Sequence, residues 1–397
     1  QLKITAADVR VVDANGIALG DSDVSGIYIL TVGGAVSDSG DLDIEGATTI
    51  LASGSNVVLD RATHDFTGAV GVTGAAVELV DANAIVLGAS AVSGTYAVTA
   101  TTGDISNSGN LVITGAATFI TTAADSNIIL DQSGNAFTST VTMQAGNGSA
   151  DFGNITFVDS AAVRLHTSAQ SAGDLYINAT TDGAVDGNLS VTANGDITQT
   201  VVLAVTGTTT LVAGGNDITL DTSTNNFAAA VVITSGRNVA ITDEHTIVLG
   251  AATVSGTYNV TATTGGITDS GNLAITGAAT FTAANAQSVY LDGANTFSNT
   301  VTFSSGGTLA NVTISDSNDF DLAALTLSGN LIVTSTGGSI TDSGALAITG
   351  VTTIDASSGN VTLDTTTNNF QGSVKIDGVN VTVVDAGAID LGASTVT

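Results

Sequence analysis

The chain has 397 residues with no cysteine and no proline, and its 36 acidic residues against six basic ones give a formal net charge of −30. This charge excludes nucleic acid as a natural partner, because binding there neutralises phosphates with lysine and arginine. No apolar run reaches the ~20 residues of a membrane-spanning helix. Hydrophobic residues make up 43% of the chain, which is enough to bury a core and argues against disorder.

One phrase of the sequence occurs twice: the segment from Val80 to Phe119 returns from Ile241 to Phe281. Weaker copies begin near Val12, Val158, Ile314 and Val384. A glycine that follows Ile-x or Val-x marks the register at Gly46, Gly115, Gly207, Gly277 and Gly350. These glycines lie about 70 residues apart, and the third unit is longer by about 22 residues. Self-similarity at such a period is typical of solenoids and other repeat architectures.

The period predicts how the chain is organised. One turn of a parallel β-helix takes roughly 20–25 residues, so each unit of about 70 residues corresponds to about three turns. We expect the longer third unit to contain one additional whole turn. The predicted domain is one continuous β-solenoid over residues 1–397. Its predicted units are 12–79, 80–157, 158–240, 241–313, 314–383 and a partial unit 384–397.

The local pattern favours strands over helices throughout the chain. Short β-branched segments such as Ile128–Leu130 and Val361–Leu363 alternate with Gly, Asn, Asp and Ser, which is the pattern of strands separated by turns. A β-propeller would need blades of about 40–50 residues, and the period differs from that. The absence of proline fits strands paired on both sides, where proline would remove a ladder hydrogen bond. The predicted fold class is therefore all-β, a right-handed parallel β-helix.

Two residue types recur once per unit and are predicted to be structural. The aspartates should lie on turns, where a carboxylate can bind the backbone two residues further on. The phenylalanines should point inward and fill one corner of each unit. The aspartates are Asp13, Asp81, Asp159, Asp243, Asp316 and Asp385, and the phenylalanines are Phe66, Phe137, Phe227, Phe297 and Phe370.

The sequence offers little support for a catalytic or cofactor site. The three histidines, His64, His166 and His245, occupy unrelated slots of the repeat, so we predict no catalytic and no cofactor-binding residues. His245 stands where Asn83 stands in the Asp-x-Asn turn and is predicted to be a variant turn residue. Weak candidates for a metal site, with Ca²⁺ as the possible ion, are Asp316, Asp319 and Asp321. This run lacks the glycine and the closing glutamate of a calcium loop.

The phrases SGNLxITGAATF, present from Ser108 and from Ser270, and LDxxxNxF, present from Leu130 and from Leu363, carry a family resemblance. They resemble the β-strand repeats of very large bacterial secreted proteins, the filamentous-haemagglutinin-like adhesins exported by two-partner secretion. The resemblance implies export, a β-helical shaft and a role in adhesion, biofilm formation or coating of the cell envelope.

The function predicted from the sequence is non-enzymatic: the structural shaft of an extracellular fibre, cell-surface filament or adhesin. The segments 11–20 and 383–392 carry the same phase of the repeat, so we expect a segment of a longer chain or a subunit that stacks into a filament. The predicted partners are further copies or continuations of the fibre, surface glycans or neighbouring cells. The alternative is a β-helical carbohydrate-active enzyme or a glycan-binding module, which would gather non-repeating acids and bases on one face.

Overall fold

The computed structural model describes residues 2–146, 153–161, 163–166, 174–177, 184–185, 187–200, 202–356 and 358–397. The secondary structure of these residues consists of strands, and no helix among them is long and apolar enough to cross a membrane. The chain divides into two compact units, residues 1–207 and residues 208–397. Each unit is a stack of short parallel strands.

Unit 1 begins with β1 (Thr5–Ala6), which precedes the first repeat. The first repeat contains ten strands: β2 (Val9–Asp13), β3 (Ile17–Leu19), β4 (Ser22–Val24), β5 (Tyr28–Val32), β6 (Val36–Asp38), β7 (Leu42–Ile44), β8 (Thr48–Leu51), β9 (Val57–Leu59), β10 (Asp65–Phe66) and β11 (Val70–Gly74). The second repeat also contains ten: β12 (Val77–Asp81), β13 (Ile85–Leu87), β14 (Ser90–Val92), β15 (Tyr96–Ala100), β16 (Ile105–Asn107), β17 (Leu111–Ile113), β18 (Ala117–Thr121), β19 (Ile128–Leu130), β20 (Ala136–Phe137) and β21 (Val141–Gln144). The third repeat contributes β22 (Ile155–Asp159), β23 (Val163–His166), β24 (Asp174–Ile177), β25 (Ala184–Val185), β26 (Leu189–Ala193), β27 (Ile197–Gln199) and β28 (Ala204–Val205).

Unit 2 begins with the end of the third repeat: β29 (Thr209–Val212), β30 (Ile218–Leu220), β31 (Asn226–Phe227) and β32 (Val231–Gly236). The fourth repeat contains β33 (Val239–Asp243), β34 (Ile247–Val254), β35 (Tyr258–Ala262), β36 (Ile267–Asp269), β37 (Leu273–Ile275), β38 (Ala279–Ala283), β39 (Val289–Leu291), β40 (Thr296–Phe297) and β41 (Val301–Ser305). The fifth contains β42 (Val312–Asp316), β43 (Phe320–Leu322), β44 (Leu325–Leu327), β45 (Leu331–Ser335), β46 (Ile340–Asp342), β47 (Leu346–Ile348), β48 (Thr352–Ala356), β49 (Val361–Leu363), β50 (Asn369–Phe370) and β51 (Ser373–Gly378). The last strands are β52 (Val381–Val383), β53 (Asp390–Leu391) and β54 (Thr395–Val396).

Most strands pair in parallel with strands about one turn before and after them. In unit 1, Tyr28 of β5 lies opposite Val9 of β2 on one side and opposite Thr48 of β8 on the other, so one turn takes about 20 residues. Parallel pairing with this spacing confirms the predicted parallel β-solenoid. Most strands alternate buried and outward residues, as in β5 and β15, which is the two-residue period of a sheet with one face against a core.

Among its described residues, unit 1 contains two long sheets, a short four-stranded sheet and the short paired strands β25 and β28. Sheet I begins with β2, β5, β8 and β11, and sheet II begins with β3, β6, β9 and β12. The short sheet consists of β1, β4, β7 and β10. In unit 2, sheet III contains β30, β33, β35, β38 and β41, and sheet IV contains β32, β34, β39, β42, β45, β48 and β51.

The first, second and fifth repeats each contain three turns of three strands plus a tenth strand, after which the next repeat opens on the other sheet. In the fourth repeat the long strand β34 pairs with both β36 and β37 and so takes the place of two strands. In unit 1, β2 opens the first repeat on sheet I, β12 opens the second on sheet II by pairing with β9, and β22 opens the third on sheet I by pairing with β19. In unit 2, β33 opens the fourth repeat on sheet III and β42 opens the fifth on sheet IV. The sequence predicted about three turns for each unit; the extra strand was not visible in the period alone.

The long third repeat has a lengthened stretch between β22 and β26. On sheet I, β22 pairs directly with β26, although 34 residues separate Ile155 from its partner Leu189. On sheet II, β24 lies between β21 and β23, so this sheet gains one strand there. The additional whole turn stays a prediction, because residues 167–173 and 178–183 of this stretch lie outside the described part of the chain.

The core is aliphatic with aromatic residues at fixed slots. In unit 1 the rings of Tyr96, Phe119, Phe137 and Phe157 follow one another with centroid distances of 5.8, 6.1 and 5.3 Å. In unit 2 the rings of Tyr258, Phe281 and Phe297 repeat the first part of this arrangement at 5.9 and 6.0 Å. Edge-to-face pairs at these distances add to the energy of apolar burial.

The glycines that mark the repeat lie where the backbones of successive turns touch. A Cβ added to Gly115 would lie 2.3 Å from the carbonyl oxygen of Gly94, one turn earlier. The other marker glycines meet the backbone of the preceding turn, or an asparagine side chain there, within 2.2–2.6 Å: they are Gly46, Gly207, Gly277 and Gly350. Contacts this short leave no room for a side chain, so the repeat requires glycine at this corner.

The aromatic contacts of Phe137 predict a local effect of its removal. Phe137→Ala leaves a cavity between the rings of Phe119 and Phe157, and we expect a loss of about 3–5 kcal/mol. Stability in solenoids is roughly a nearest-neighbour property, so hydrogen exchange should accelerate only in adjacent turns. Val112→Ala is the matched control, because Val112 lies on the adjacent strand with 48% of its surface exposed. Equal loss of protection along the whole of unit 1 would contradict this prediction.

Candidate functional site

The most distinctive polar site of the chain lies where one repeat ends and the next begins. The short sheet of unit 1 ends at β10, which pairs with β7 on one side only. β10 has no paired strand on its other side, because the next repeat opens on sheet II with β12. In its place the amide of Phe66 donates a hydrogen bond of 3.0 Å to the carboxylate of Asp81, at the end of β12.

The same contact closes every junction between a repeat and the residues that follow it. It joins two of the residue series singled out from the sequence, the phenylalanines and the aspartates. The amide-to-carboxylate distances are 3.3 Å for Phe137 and Asp159, 2.7 Å for Phe227 and Asp243, 3.0 Å for Phe297 and Asp316, and 3.2 Å for Phe370 and Asp385. We call each such pair a junction clamp.

The junction aspartate also binds its own turn. The other oxygen of Asp81 accepts a hydrogen bond of 2.7 Å from the amide of Asn83, and Asp243 accepts one of 2.6 Å from the amide of His245. His245 therefore takes the backbone role of Asn83. Asp13 binds the amide of Asn15 at 2.9 Å in the same way.

The junction clamps are buried. The exposed fraction is 0–4% for Asp81, Asp159, Asp243 and Asp316, and 1–3% for the five phenylalanines. Asp13, without a clamp, and Asp385 in the last turn are partly exposed. The sequence placed the aspartates on turns but gave no sign that they reach into the core to bind the preceding repeat.

Burial dominates the electrostatics of the clamp. It raises the pKa of Asp81 to about 6, against the opposing effect of the Asn83 and Phe66 amides, and the nearby charge of Asp65 raises it further. Burial likewise raises the pKa values of Asp159, Asp243 and Asp316. Within the part of the chain that the structure describes, no basic side chain pairs with Asp81, and the amides of Phe66 and Asn83 stabilise its charge.

A second buried polar position lies two residues before each clamp phenylalanine. Four repeats have asparagine there, and all are fully buried: Asn135, Asn225, Asn295 and Asn368. The oxygen of Asn295 accepts the amide of Leu273 at 2.8 Å, while its nitrogen donates to Asp269 at 2.8 Å. Asn368 does the same with Leu346 at 2.9 Å and Asp342 at 2.6 Å. These contacts fasten the clamp strand to the turn beneath it.

His64 occupies this asparagine slot in the first repeat. Its Nδ1 accepts the amide of Leu42 at 3.0 Å, and its Nε2 lies against the carboxylate of Asp38. A backbone amide can only donate, so Nδ1 carries no proton and Nε2 donates to Asp38. Burial lowers the pKa of His64, with Asp38 opposing it, which agrees with a neutral ring. The imidazole thus reproduces the acceptor and donor of the asparagine amide. The side chains of Arg164 and His166 lie outside the described part of the structure.

The three candidate metal ligands are directed to different partners. Asp316 is buried in its junction clamp. Asp319 accepts the amide of Ser339 at 2.7 Å, and Asp321 accepts the hydroxyls of Thr341 and Ser343. Among the described residues, no three His, Cys, Asp or Glu side chains are grouped so that they could hold a metal ion.

Asp319 and Asp321 do line an open groove of about 720 Å³ in unit 2. Most of its lining residues are polar and lie on turns, whereas Phe297 ends β40 and Asp321 lies in β43. The other lining residues are Phe297, Ser298, Asn299, Thr300, Asn318 and Gly337.

Comparison with known families gives one match that covers most of the chain. The family described as "Repeats of unknown function" (DUF5649) matches five successive segments, 6–73, 74–144, 152–234, 236–304 and 309–377. The chain belongs to this DUF5649 family. No curated protein and no solved structure matches it.

The DUF5649 segments begin five or six residues before the units predicted at 12, 80, 158, 241 and 314, and this phase explains the clamp. In the second segment, Asp81 stands seven residues after the start and Phe137 seven residues before the end, and both offsets are the same in all five segments. Each DUF5649 repeat therefore carries its aspartate at the beginning and its phenylalanine at the end. The junction clamp joins the end of one repeat to the beginning of the following sequence.

Removing the carboxylate of a junction clamp should lower the free energy of unfolding far more than removing an aspartate that binds only its own turn. Asp81→Ala removes the acceptor of the buried Phe66 amide and of the Asn83 amide, and we expect a loss of about 1–3 kcal/mol in the free energy of unfolding. Asp13→Ala affects one exposed amide and should cost about 0.5 kcal/mol. Thermal melting measures the loss of stability in both variants, and hydrogen exchange of the Phe66 amide reports on the clamp in Asp81→Ala. Equal effects would show that the turn, and not the clamp, is what matters.

The raised pKa of Asp81 predicts a titration within the folded protein. The folded value of about 6 exceeds the unfolded value of about 3.9, so the folded state binds the proton more tightly. The stabilisation of the folded state by protonation of Asp81 is therefore complete below about pH 4 and is lost as the pH rises through about 6. Carbon-detected NMR of the Asp81 carboxyl should show a midpoint near pH 6, and a midpoint below pH 4 would refute the prediction.

Proposed function

We propose that this chain is the shaft of an extracellular fibre, cell-surface filament or adhesin, with a mechanical and not a catalytic role. The single observation that carries the proposal is the junction clamp. Its buried polar groups recur with the repeat, and each is used to hold one repeat to the next. Buried carboxylates that serve catalysis are gathered once at one place, whereas these occur at regular intervals along the chain.

The ladders of the two units support the same proposal. Consecutive turns are joined by parallel strand pairing, by asparagine or histidine beneath the clamp strand and by the clamp above it. A force along the stack would act on main-chain hydrogen bonds in every turn and on the buried polar contacts of the clamp in every repeat. A DUF5649 stack of this kind is a reasonable spacer, because repeats can be added without a new core design.

The surface chemistry and the family resemblance support the location. A net charge of −30 keeps isolated chains soluble and apart. The strand phrases are similar to those of filamentous-haemagglutinin-like adhesins, which are exported and extend from the cell surface. Further copies, surface glycans or neighbouring cells are the partners that such a shaft would meet.

Immunogold electron microscopy of intact cells that produce the protein tests this function. We expect gold particles on material outside the cell and loss of the label after brief external protease treatment. An antibody against a cytoplasmic protein, applied to the same cells, is the control for leakage. Labelling confined to the cell interior would overturn the proposal.

The alternative, a glycan-active or glycan-binding protein, has one feature in its favour, the groove beside Asp319 and Asp321. The variant Asp319→Asn/Asp321→Asn separates the two functions. A shaft retains its melting behaviour and extracellular location in this variant. If the wild-type chain instead degraded or bound polysaccharide, and the double variant lost that property, the alternative would hold.

A further inference from the structure

The buried slot two residues before the clamp phenylalanine holds a different residue in the first repeat from the one in the later repeats. The later repeats have asparagine there, and the first repeat has His64. The side chain of asparagine does not titrate, whereas histidine changes its charge between about pH 5 and pH 8. The first junction therefore contains a titratable group at a position where the others have none.

The surroundings of His64 are those of an asparagine in the same slot. The imidazole is fully buried. Its Nδ1 accepts the amide of Leu42 at 3.0 Å, as the oxygen of Asn295 accepts the amide of Leu273 at 2.8 Å. Its Nε2 donates to Asp38, as the nitrogen of Asn295 donates to an aspartate. This slot requires one acceptor and one donor, and only the neutral imidazole supplies both.

Charged groups lie on one side of the His64 ring. Asp38 is the nearest, and its side chain is only 6% exposed. Asp41 and Arg61 lie on neighbouring turns and bind one another at 2.7 Å. Both of these side chains are exposed, so solvent and salt screen their effect on the ring. Asp38 is therefore the charge that acts most directly on His64.

The rest of the junction offers the His64 ring no further polar partner. The ring of Phe66 lies against it, with 5.7 Å between the ring centroids. Asp65 is partly exposed on the outward side of its strand. Asp81 is directed to the amides of Phe66 and Asn83. A second proton on the imidazole would thus find no acceptor at Nδ1.

Protonation of His64 conflicts with these contacts. The proton binds Nδ1, which holds the remaining lone pair of the ring, and Nδ1 then faces the Leu42 amide as donor against donor. The buried amide loses its acceptor, which is unfavourable. Burial also disfavours the charged ring and outweighs the attraction of Asp38, so the pKa of His64 is lowered.

We propose that the first junction is an acid-sensitive joint, at which protonation of His64 loosens the end of the first repeat from the turn beneath it. The unfolded chain, with a histidine pKa of about 6.5, binds this proton more tightly than the folded chain. The stabilisation by the neutral ring is complete above about pH 6.5 and is lost as the pH falls through the lower folded pKa. The direction is opposite to that of Asp81. This inference is independent of the shaft function.

His64→Asn tests the proposal, because it installs the residue of the other repeats and removes the titration. In the wild-type chain, the protection of the Leu42 amide against hydrogen exchange, corrected for its intrinsic rate, should fall about threefold or more between about pH 7 and pH 5. The Leu273 amide, bound by Asn295, should stay constant and is the internal reference. His245→Asn is the matched control, since His245 is exposed and binds through its backbone amide.

Thermal melting gives a second measurement on the whole chain. Wild type and His64→Asn share the contribution of Asp81, so the difference between their melting temperatures isolates His64. This difference should be constant above about pH 6.5 and should shift in favour of His64→Asn at lower pH.

A fall in Leu42 protection that is absent from His64→Asn and present in His245→Asn supports the proposal. The same fall in His64→Asn overturns it, as does equal protection of Leu42 at both pH values in the wild type. Protection that rises on acidification also overturns it, because the ion pair with Asp38 would then outweigh the lost acceptor. If His64→Asn does not fold, as judged by circular dichroism, the comparison of Leu42 with Leu273 in the wild type decides.

Discussion

A backbone amide buried without an acceptor costs about 1–3 kcal/mol, and a repeat with one strand more than three turns creates such an amide at every junction. The tenth strand sends the next repeat to the other sheet, so the strand that carries Phe66 loses its neighbour on one side. The carboxylate of Asp81 takes the place of that neighbour. The offset of the repeats and the buried aspartate are thus two parts of one solution.

Burying an acidic side chain as the acceptor of the clamp costs free energy. Burial of a carboxylate without a basic partner raises its pKa, as at Asp81, because water no longer stabilises the charge. Two amide donors compensate in part. An asparagine would offer one acceptor and would place its own NH₂ group against an amide, whereas a carboxylate accepts from both sides. The position beneath the clamp has the opposite requirement, one acceptor and one donor, and asparagine or the neutral His64 satisfies it.

The sequence predicted the parallel solenoid because its evidence is local and repeated. Three features indicate stacked strands that are paired on both sides. They are the alternation of inward and outward residues in segments such as Ile128–Leu130, the 70-residue period and the absence of proline. The contact between Phe66 and Asp81 could not be predicted from spacing. The separation between clamp partners varies, from Phe66 to Asp81 and from Phe137 to Asp159, because the intervening turn varies in length. The inserted strand β24 escaped for a similar reason: a length difference near one turn does not reveal which sheet receives the residues.

The change of sheet at each junction also bears on how such a chain can grow by duplication. In unit 1 the first and third repeats open on the same sheet and the second on the other. Copying a single repeat would therefore transfer every later residue to the opposite side of the stack, whereas copying a pair returns the chain to its starting side. The two copies of the strongest internal match, from Val80 and from Ile241, lie two repeats apart and not one. Later repeats accordingly keep their place on the same sheet only when repeats are gained or lost two at a time.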